Sequence, residues 1–257
     1  MLGAIVGDIV GSIYEHANHR SKEFPLFKDD SRFTDDSVLT CATAAVLFAG
    51  CDYSDLYRKL GLQYPEAGYG GRFMHWLMDD SMGPYNSYGN GSAMRVSPVG
   101  WAFDNEEEVM TAAKASAEVT HNHPEGIKGA QATALAIFRA RNGRSQEDIA
   151  GEMADRFGYD ISIPVDELRD SYQFSVSCQG TVPEAIRCYM EASDFEDAIR
   201  NAISIGGDSD TLAAITGSIA EATFGVPSDI AEEAISRLDE PLAAILVRFC
   251  DKYVPAR

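Results

Sequence analysis

Basic residues are scarce in this chain of 257 residues, where 21 lysines and arginines stand against 40 aspartates and glutamates, a formal net charge of −19. Proteins that bind nucleic-acid backbones or anionic membranes in a general way need a basic surface that displaces counterions. The charge balance therefore argues against both functions. The one basic cluster, RARNGR at 139–144, ends a helical pattern, where arginines complement the helix dipole.

Cysteines are also few: there are five, widely separated, and none belongs to a C-x-x-C pair. This pattern argues against a disulfide framework and against a zinc knuckle. No apolar run is long enough to cross a bilayer, and the opening MLGAIVGDIVGSIYE lacks a basic leader and carries two acids. We therefore expect a cytoplasmic protein that does not bind membranes.

Period-two alternation, the mark of half-buried strands, is rare, whereas helical periodicity recurs throughout. We predict an all-α fold, a compact orthogonal helix bundle that forms a single domain over residues 1–257, because no linker or repeat divides the chain. The least helical stretches are 17–33, 80–91 and 158–181, the last with room for a short extended piece. The predicted helices cover 2–16, 35–49, 54–62, 69–79, 92–102, 105–119, 124–141, 146–157, 183–192, 195–204, 210–223, 228–237 and 240–252.

Glycines recur at every fourth position of the first predicted helix, at Gly3, Gly7 and Gly11. Each glycine inside a helix costs roughly 1 kcal/mol relative to alanine, so three of them need a packing reason. A groove of glycines lets another helix approach closely. Asp8 and Glu15 are seven residues apart and share a face of this predicted helix.

Two predicted helices begin with a hydroxyl and two carboxylates. FTDDSVLT at 33–40 and GGDSDT at 206–211 each lead into a run that is almost entirely small and apolar. One such start can be an ordinary cap, because Thr, Ser and Asp are preferred caps and acids are stabilised by the helix dipole. A helix that is apolar all round is buried, however, and its start is then buried as well.

A buried pair of carboxylates needs a counter-charge. Two charges ~4 Å apart repel by ~4 kcal/mol at an effective dielectric constant of ~20, and lysine and arginine are absent from both motifs apart from Arg32. If the two starts meet in space, a hard divalent cation such as Mg²⁺ is the natural partner for their oxygens.

Five ordered blocks connect the chain with a known family: GAIVGDIVGSIYE, FTDDSVLT, GNGSAMRVSPVGW, HNHPEGIKGAQATA and SIGGDSDTLAAITGSIAEATFG. The chain resembles the ADP-ribosylglycohydrolase family, of the dinitrogenase-reductase-activating and ADP-ribosylhydrolase type. The resemblance implies an all-α fold with a cleft for two Mg²⁺ ions, Mn²⁺ being an alternative. It also implies hydrolysis of the bond between ADP-ribose and an acceptor, on a protein or a small molecule.

The same resemblance assigns roles to individual residues. Glu15, Asp35 and Asp208 are the candidates for handling the proton in catalysis, and Asp210 is the candidate for a bridge between the two ions. The metal ligands carried over from the family are Thr34, Asp35, Asp36, Asp208, Asp210 and Thr211.

GNGSAMR, residues 89–95, suits an anionic ligand, because its glycines permit close backbone approach and a helix start offers free amides. In the family context, Asn90, Gly91 and Ser92 are predicted to contact diphosphate or ribose. Arg95 either contacts a phosphate or pairs with one of the site's acids. His123 is a candidate ligand contact, and it forms no zinc pair with His121 because no further ligands lie nearby.

Two other functions stay open at this point. The chain could bind ADP-ribose without cleaving it, although all six metal positions are present. It could also be a dinuclear hydrolase of another ribosyl or phosphate compound, because a fold does not determine its substrate. The acceptor and the oligomeric state cannot be read from the sequence.

Overall fold

Helices form the regular structure of the chain in a computed structural model, which describes residues 1–254. No strand occurs in that range, so the all-α prediction is confirmed. The last three residues of the predicted domain lie outside the described residues. The helices are α1 (Leu2–Gly11), α2 (Asp35–Ala49), α3 (Tyr53–Gln63), α4 (Gly71–Met78), α5 (Gly91–Met94), α6 (Ser97–Ala102), α7 (Glu106–Glu118), α8 (Pro124–Arg141), α9 (Gln146–Phe157), α10 (Val165–Ser171), α11 (Val182–Met190), α12 (Phe195–Ser204), α13 (Ser209–Phe224), α14 (Ser228–Ser236) and α15 (Glu240–Tyr253).

Three differences from the predicted helices exceed one or two residues at a boundary. Helix α1 ends at Gly11 instead of residue 16, because the chain turns there and the Tyr14 amide donates to the Gly11 carbonyl. The predicted helix over 92–102 is two short helices, since Pro98 has no N–H with which to continue a helix from the preceding turn.

The third difference lies in 158–181, where no helix was predicted. Helix α10 begins directly after Pro164 and buries Val165 and Leu168 on one side. The predicted extended piece follows it, and Ser177 forms an isolated antiparallel bridge with Gly89.

Helix α1 packs against α13 at backbone distance. A methyl group added to Gly7 would lie 2.0 Å from the carbonyl oxygen of Ala213, and one added to Gly3 would lie 2.2 Å from that of Gly217. Real side chains cannot occupy such positions. The glycine repeat of α1 is therefore explained by a close helix partner, as predicted, and that partner is α13.

Helix α13 is the central helix of the fold. Its residues from Ser209 to Ala222 are all buried, and it contacts α1, α8, α11 and α12. Helix α2 also contacts α1 and α13, and a hydrogen bond between Thr211 and Asp36 brings the start of α2 beside the start of α13. Among residues 1–254, no helix is long and apolar enough to span a membrane.

Replacing Gly7 by alanine is expected to lower the free energy of unfolding by about 3 kcal/mol or more, because the added methyl meets backbone atoms that cannot move away independently. The matched control is Gly151→Ala in α9, where nothing lies within 4 Å of the added methyl. There the higher helix propensity of alanine should stabilise the protein by up to about 1 kcal/mol. Urea denaturation followed by circular dichroism measures both, and equal effects would contradict the packing argument.

Candidate active site

The starts of α2 and α13 meet against the side of α1. Thr211 at the start of α13 donates a hydrogen bond from its hydroxyl to the carboxylate of Asp36, 3.3 Å away. Carboxylate oxygens of Asp8, Asp36 and Asp210 all lie within 4.8 Å of one another. A second group, formed by Glu15, Asp208 and Asp210, satisfies the same limit. Asp210 belongs to both groups, the position expected of a bridge between two ions.

Asp8 is a member of the cluster that the sequence analysis did not include among the metal ligands. It is fully buried in α1. Its carboxylate accepts hydrogen bonds from the Thr34 amide at 2.9 Å and hydroxyl at 2.6 Å, and from the Ser37 amide at 3.0 Å and the Ser37 hydroxyl. Asp8 thus fixes the first turn of α2. The sequence signal that could have identified Asp8 as part of the site is its charge on a buried helix, between Gly7 and Gly11.

Asp208 is held by neutral donors. The side-chain amide of Asn90 donates to Asp208 at 2.6 Å and to the Thr181 hydroxyl at 3.1 Å. The predicted ligand residue Asn90 therefore also orients an acid of the cluster. Thr181, which is fully buried, has no distinctive sequence pattern that points to this role.

Asp35 lies at the edge of the cluster. Its backbone amide donates to the Ala67 carbonyl at 2.9 Å, and its carboxylate faces the loop at Gly68. It belongs to neither three-carboxylate group. Burial, followed by the charges of Asp8 and Asp208, raises the pKa of Asp35 to about 8.

The cluster is short of positive charge. Burial, followed by the Asp210 charge, raises the pKa of Asp36 well above its usual range, and burial with Asp208 does the same to Asp210. Within residues 1–254, no lysine or arginine forms an ion pair with these acids. The buried Oδ1 atom of Asp36 has no hydrogen-bond partner there either. A set of hard oxygen ligands with an unpartnered buried atom fits a divalent cation.

A cavity of about 600 Å³ opens onto these acids, within the usual range for sites that bind small molecules and cofactors. The residues that line it include the acids Glu15, Asp35 and Glu66, together with Gly89, Gly91 and His121. The lining therefore combines acidic side chains with glycine backbone and a histidine.

The residues of GNGSAMR that were predicted to contact the ligand differ in whether they face the cavity or bond within the protein. Gly91 lines the cavity, whereas Ser92 donates to the Gly126 carbonyl at 2.7 Å and so attaches α5 to α8. Arg95 lines the cavity too, but its side chain is fully buried. It forms no ion pair with a site acid among residues 1–254, so the pairing considered from sequence finds no support.

His121 lies on the cavity wall, and His123 does not. The Nδ1 atom of His123 accepts a hydrogen bond from the Glu125 amide at 3.1 Å and caps α8. Its ring packs edge-on against Tyr88, with centroids 5.4 Å apart. The proposed ligand contact of His123 stays a prediction, and His121 is the histidine that the sequence analysis did not select.

With this all-α fold and its buried carboxylate cluster described, comparison with known proteins gives the family. The ADP-ribosylglycohydrolase family profile matches residues 1–256, and the chain belongs to that family.

Individual relatives agree with this assignment. The chain is 27% identical to ADP-ribosylhydrolase ARH3 of Mus musculus, over 88% of this chain and 83% of the relative. It is 29% identical to the ADP-ribosyl-[dinitrogen reductase] glycohydrolase of Rhodospirillum rubrum, over 65% of this chain and 56% of the relative. A solved ADP-ribosylglycohydrolase-related protein complex has the same fold, with a TM-score of 0.69, 22% identity and coverage of 98% of this chain and 96% of that chain.

Raised carboxyl pKa values predict a stability that falls with pH when no cation is present. Between the ordinary pKa of Asp35, near 3.8, and its folded value of about 8, the folded state binds more protons than the unfolded state, so stability is lost as pH rises through this window. In chelator, the melting temperature should fall between about pH 5 and 8, and Mg²⁺ should raise it more at the upper end.

Differential scanning fluorimetry of the wild type and Asp35→Asn tests whether Asp35 causes this loss of stability with rising pH. The variant should have a shallower pH slope in chelator, because the group that titrates near 8 is gone. Identical slopes for the two proteins would remove Asp35 as the cause.

Proposed function

We propose that this protein is a magnesium-dependent hydrolase that cleaves the glycosidic bond between ADP-ribose and an acceptor. ADP-ribosyl hydrolase activity is what the family and the relatives support. The observation that carries the proposal is the pair of carboxylate groups that share Asp210 at the wall of a nucleotide-sized cavity. A purely structural cluster would not need an adjoining cavity.

Two Mg²⁺ ions, or Mn²⁺ in their place, are the proposed cofactors. The proposed ligands are Thr34, Asp35, Asp36, Asp208, Asp210 and Thr211, and the position of Asp8 in one carboxylate group adds it as a support for that site. Bound cations supply Lewis-acid charge that offsets the carboxylates and orients ribose hydroxyls. The hydrogen bonds from Thr34 and Ser37 to Asp8, and from Asn90 to Asp208, keep the ligand oxygens in place.

Glu15 is the favoured residue for proton transfer. Burial, followed by the charge of Asp208, raises the pKa of Glu15, which brings a carboxyl group closer to the range useful at neutral pH. Its side chain is half-buried and lines the cavity. Asp35, which also lines the cavity, is the alternative, while Asp208 is engaged by Asn90. Glycoside cleavage proceeds through an oxocarbenium-like transition state, which neighbouring carboxylates stabilise.

The proposed substrate is an ADP-ribosylated protein or an ADP-ribose-containing small molecule in the cytoplasm. Gly89, Gly91 and His121 of the cavity lining suit the diphosphate, because the two glycines let the ligand approach the backbone closely beside the imidazole. Acids elsewhere in the lining, Glu15 and Glu66 among them, are left for the acceptor. This arrangement favours a cationic acceptor such as an arginine side chain, and peptides with arginine-linked and serine-linked ADP-ribose decide the linkage.

Asp210→Asn is expected to lower magnesium-dependent release of ADP-ribose by about a thousandfold or more, because both carboxylate groups lose a charge. Release from the two peptides is measured by chromatography with Mg²⁺ and with chelator. The matched control is Asp229→Asn. Asp229 is an exposed acid in the first turn of α14, so this variant also removes a carboxylate charge from a helix start, but away from the cavity. Full turnover by Asp210→Asn would overturn the metal assignment, and bound but uncleaved ADP-ribose in the wild type would indicate a binding module.

Glu15→Gln is expected to lower kcat by about a hundredfold to ten-thousandfold, the usual contribution of general acid–base catalysis. The affinity for ADP-ribose should change little, because the amide keeps the shape of the side chain. Stopped assays and isothermal titration calorimetry separate the two effects. An unchanged kcat would transfer the proton-handling role to Asp35 or Asp208.

A further inference from the structure

Arg95, Thr120 and His121 form a chain of hydrogen bonds behind the cavity wall. The Nη2 atom of Arg95 donates to the Ser116 carbonyl and to the Thr120 hydroxyl oxygen, both at 2.9 Å. The same hydroxyl oxygen lies 2.7 Å from Nδ1 of His121. Arg95 and Thr120 are fully buried, and His121 is 5% exposed. Water has little access to this chain from outside.

Counting protons along the chain determines which nitrogen of His121 carries hydrogen. A guanidinium group has donors and no acceptor, so the Thr120 oxygen accepts from Arg95. The hydroxyl proton of Thr120 then needs an acceptor, and within residues 1–254 its remaining side-chain partner is His121 Nδ1. A buried hydroxyl proton is rarely left unpaired. Nδ1 therefore accepts, and the proton of the neutral ring is on Nε2.

The protonated nitrogen faces the ligand space. Methyl groups added to Gly91 or Gly89 would lie 3.2 and 3.4 Å from Nε2 of His121. The absence of side chains at these two glycines leaves the edge of the ring open, and all three residues line the cavity. An Nε2–H group there can donate to an acceptor oxygen of a bound anion.

We propose that Arg95 is a positioning residue that acts through Thr120 to hold His121 as the Nε2–H tautomer, a neutral donor to an oxygen of the ligand's diphosphate. The choice of diphosphate as the ligand group depends on the proposed function, whereas the tautomer does not. This role also accounts for a buried arginine that pairs with no acid in the described part of the chain.

The ring is neutral as well as oriented. Burial, followed by the charge of Arg95, holds the pKa of His121 well below its usual range. Within residues 1–254, the charged group that acts on the ring is Arg95, and the aromatic ring of Tyr85 has its centroid 6.1 Å away. Neither is an acid that would favour an imidazolium. The chain therefore supplies a hydrogen-bond donor that keeps its proton on one nitrogen at neutral pH.

Long-range ¹H–¹⁵N NMR of the whole protein, labelled at its five histidines, measures the tautomer directly. His121→Gln assigns the signal, and His123→Gln is the matched control for a histidine that lies off the cavity wall. At pH 7, Nδ1 of His121 should resonate as an acceptor nitrogen and Nε2 as a protonated one. A protonated Nδ1, or an imidazolium, in the wild-type protein would overturn the proposal.

Two Thr120 variants test the connection to Arg95. Thr120→Val keeps the shape and removes the hydroxyl, so the tautomer preference should be lost and ADP-ribose should bind about tenfold more weakly by calorimetry. Thr120→Ser keeps the hydroxyl and should restore both. Equal NMR spectra for the valine and wild-type proteins would overturn the role of Thr120 and Arg95, and melting curves identify any loss of fold.

The two proposals fail differently. If the wild-type protein neither binds nor cleaves ADP-ribose, the proposed function fails while the NMR result still decides the tautomer. If it cleaves ADP-ribose with His121 protonated on Nδ1, the hydrolase stands and the positioning role is wrong.

Discussion

The close contact between α1 and α13 is the constraint on which the site depends. At Gly7 the backbones approach so closely that no side chain fits between them, and this brings Asp8 of α1 against the first turn of α13. The Ser209 hydroxyl donates to the Gly11 carbonyl at 3.0 Å, which joins the end of α1 to the start of α13. A larger separation of the helices would pull Asp8 away from Asp36 and Asp210, and the first carboxylate group would no longer exist.

The acids of the site are held by neutral groups. Amides and hydroxyls of Thr34, Ser37 and Asn90 donate to Asp8 and Asp208, and they orient these carboxylates without cancelling their charge. A lysine or arginine in the same place would satisfy the carboxylates and compete with a cation. Arg95, which the sequence analysis considered as a partner for a site acid, is instead directed towards the end of α7 and the Thr120 hydroxyl. The cluster therefore has no basic side chain as a counter-charge in the described part of the chain, and the proposed cation would supply one.

Sequence patterns predicted those parts of the site that depend on local rules. Caps, apolar runs and the glycine repeat indicated which helices are buried and where α2 and α13 begin. The choice between His121 and His123 could not be made in this way, because both lie in one short loop and only the position of Thr120 and the cap of α8 separates them. Thr181 was missed because its partner Asn90 is distant in sequence. Asp8 was left out of the ligand set although its charge on a buried helix was a usable signal, because its contacts with α2 are not visible in a local pattern. Helix α10 was missed because its short apolar face is a weak periodic signal.

The pairing of α1 with α13 also has a consequence for biosynthesis. Ser209 and Gly11 are 198 positions apart, so the glycine face of α1 meets α13 only after most of the chain has been synthesised. Folds that are rich in contacts distant in sequence fold more slowly than folds that are rich in local contacts. The carboxylate cluster, which needs both helices, therefore assembles only after α13 has been made. The glycine groove of α1 is without its α13 partner for most of the synthesis of the chain.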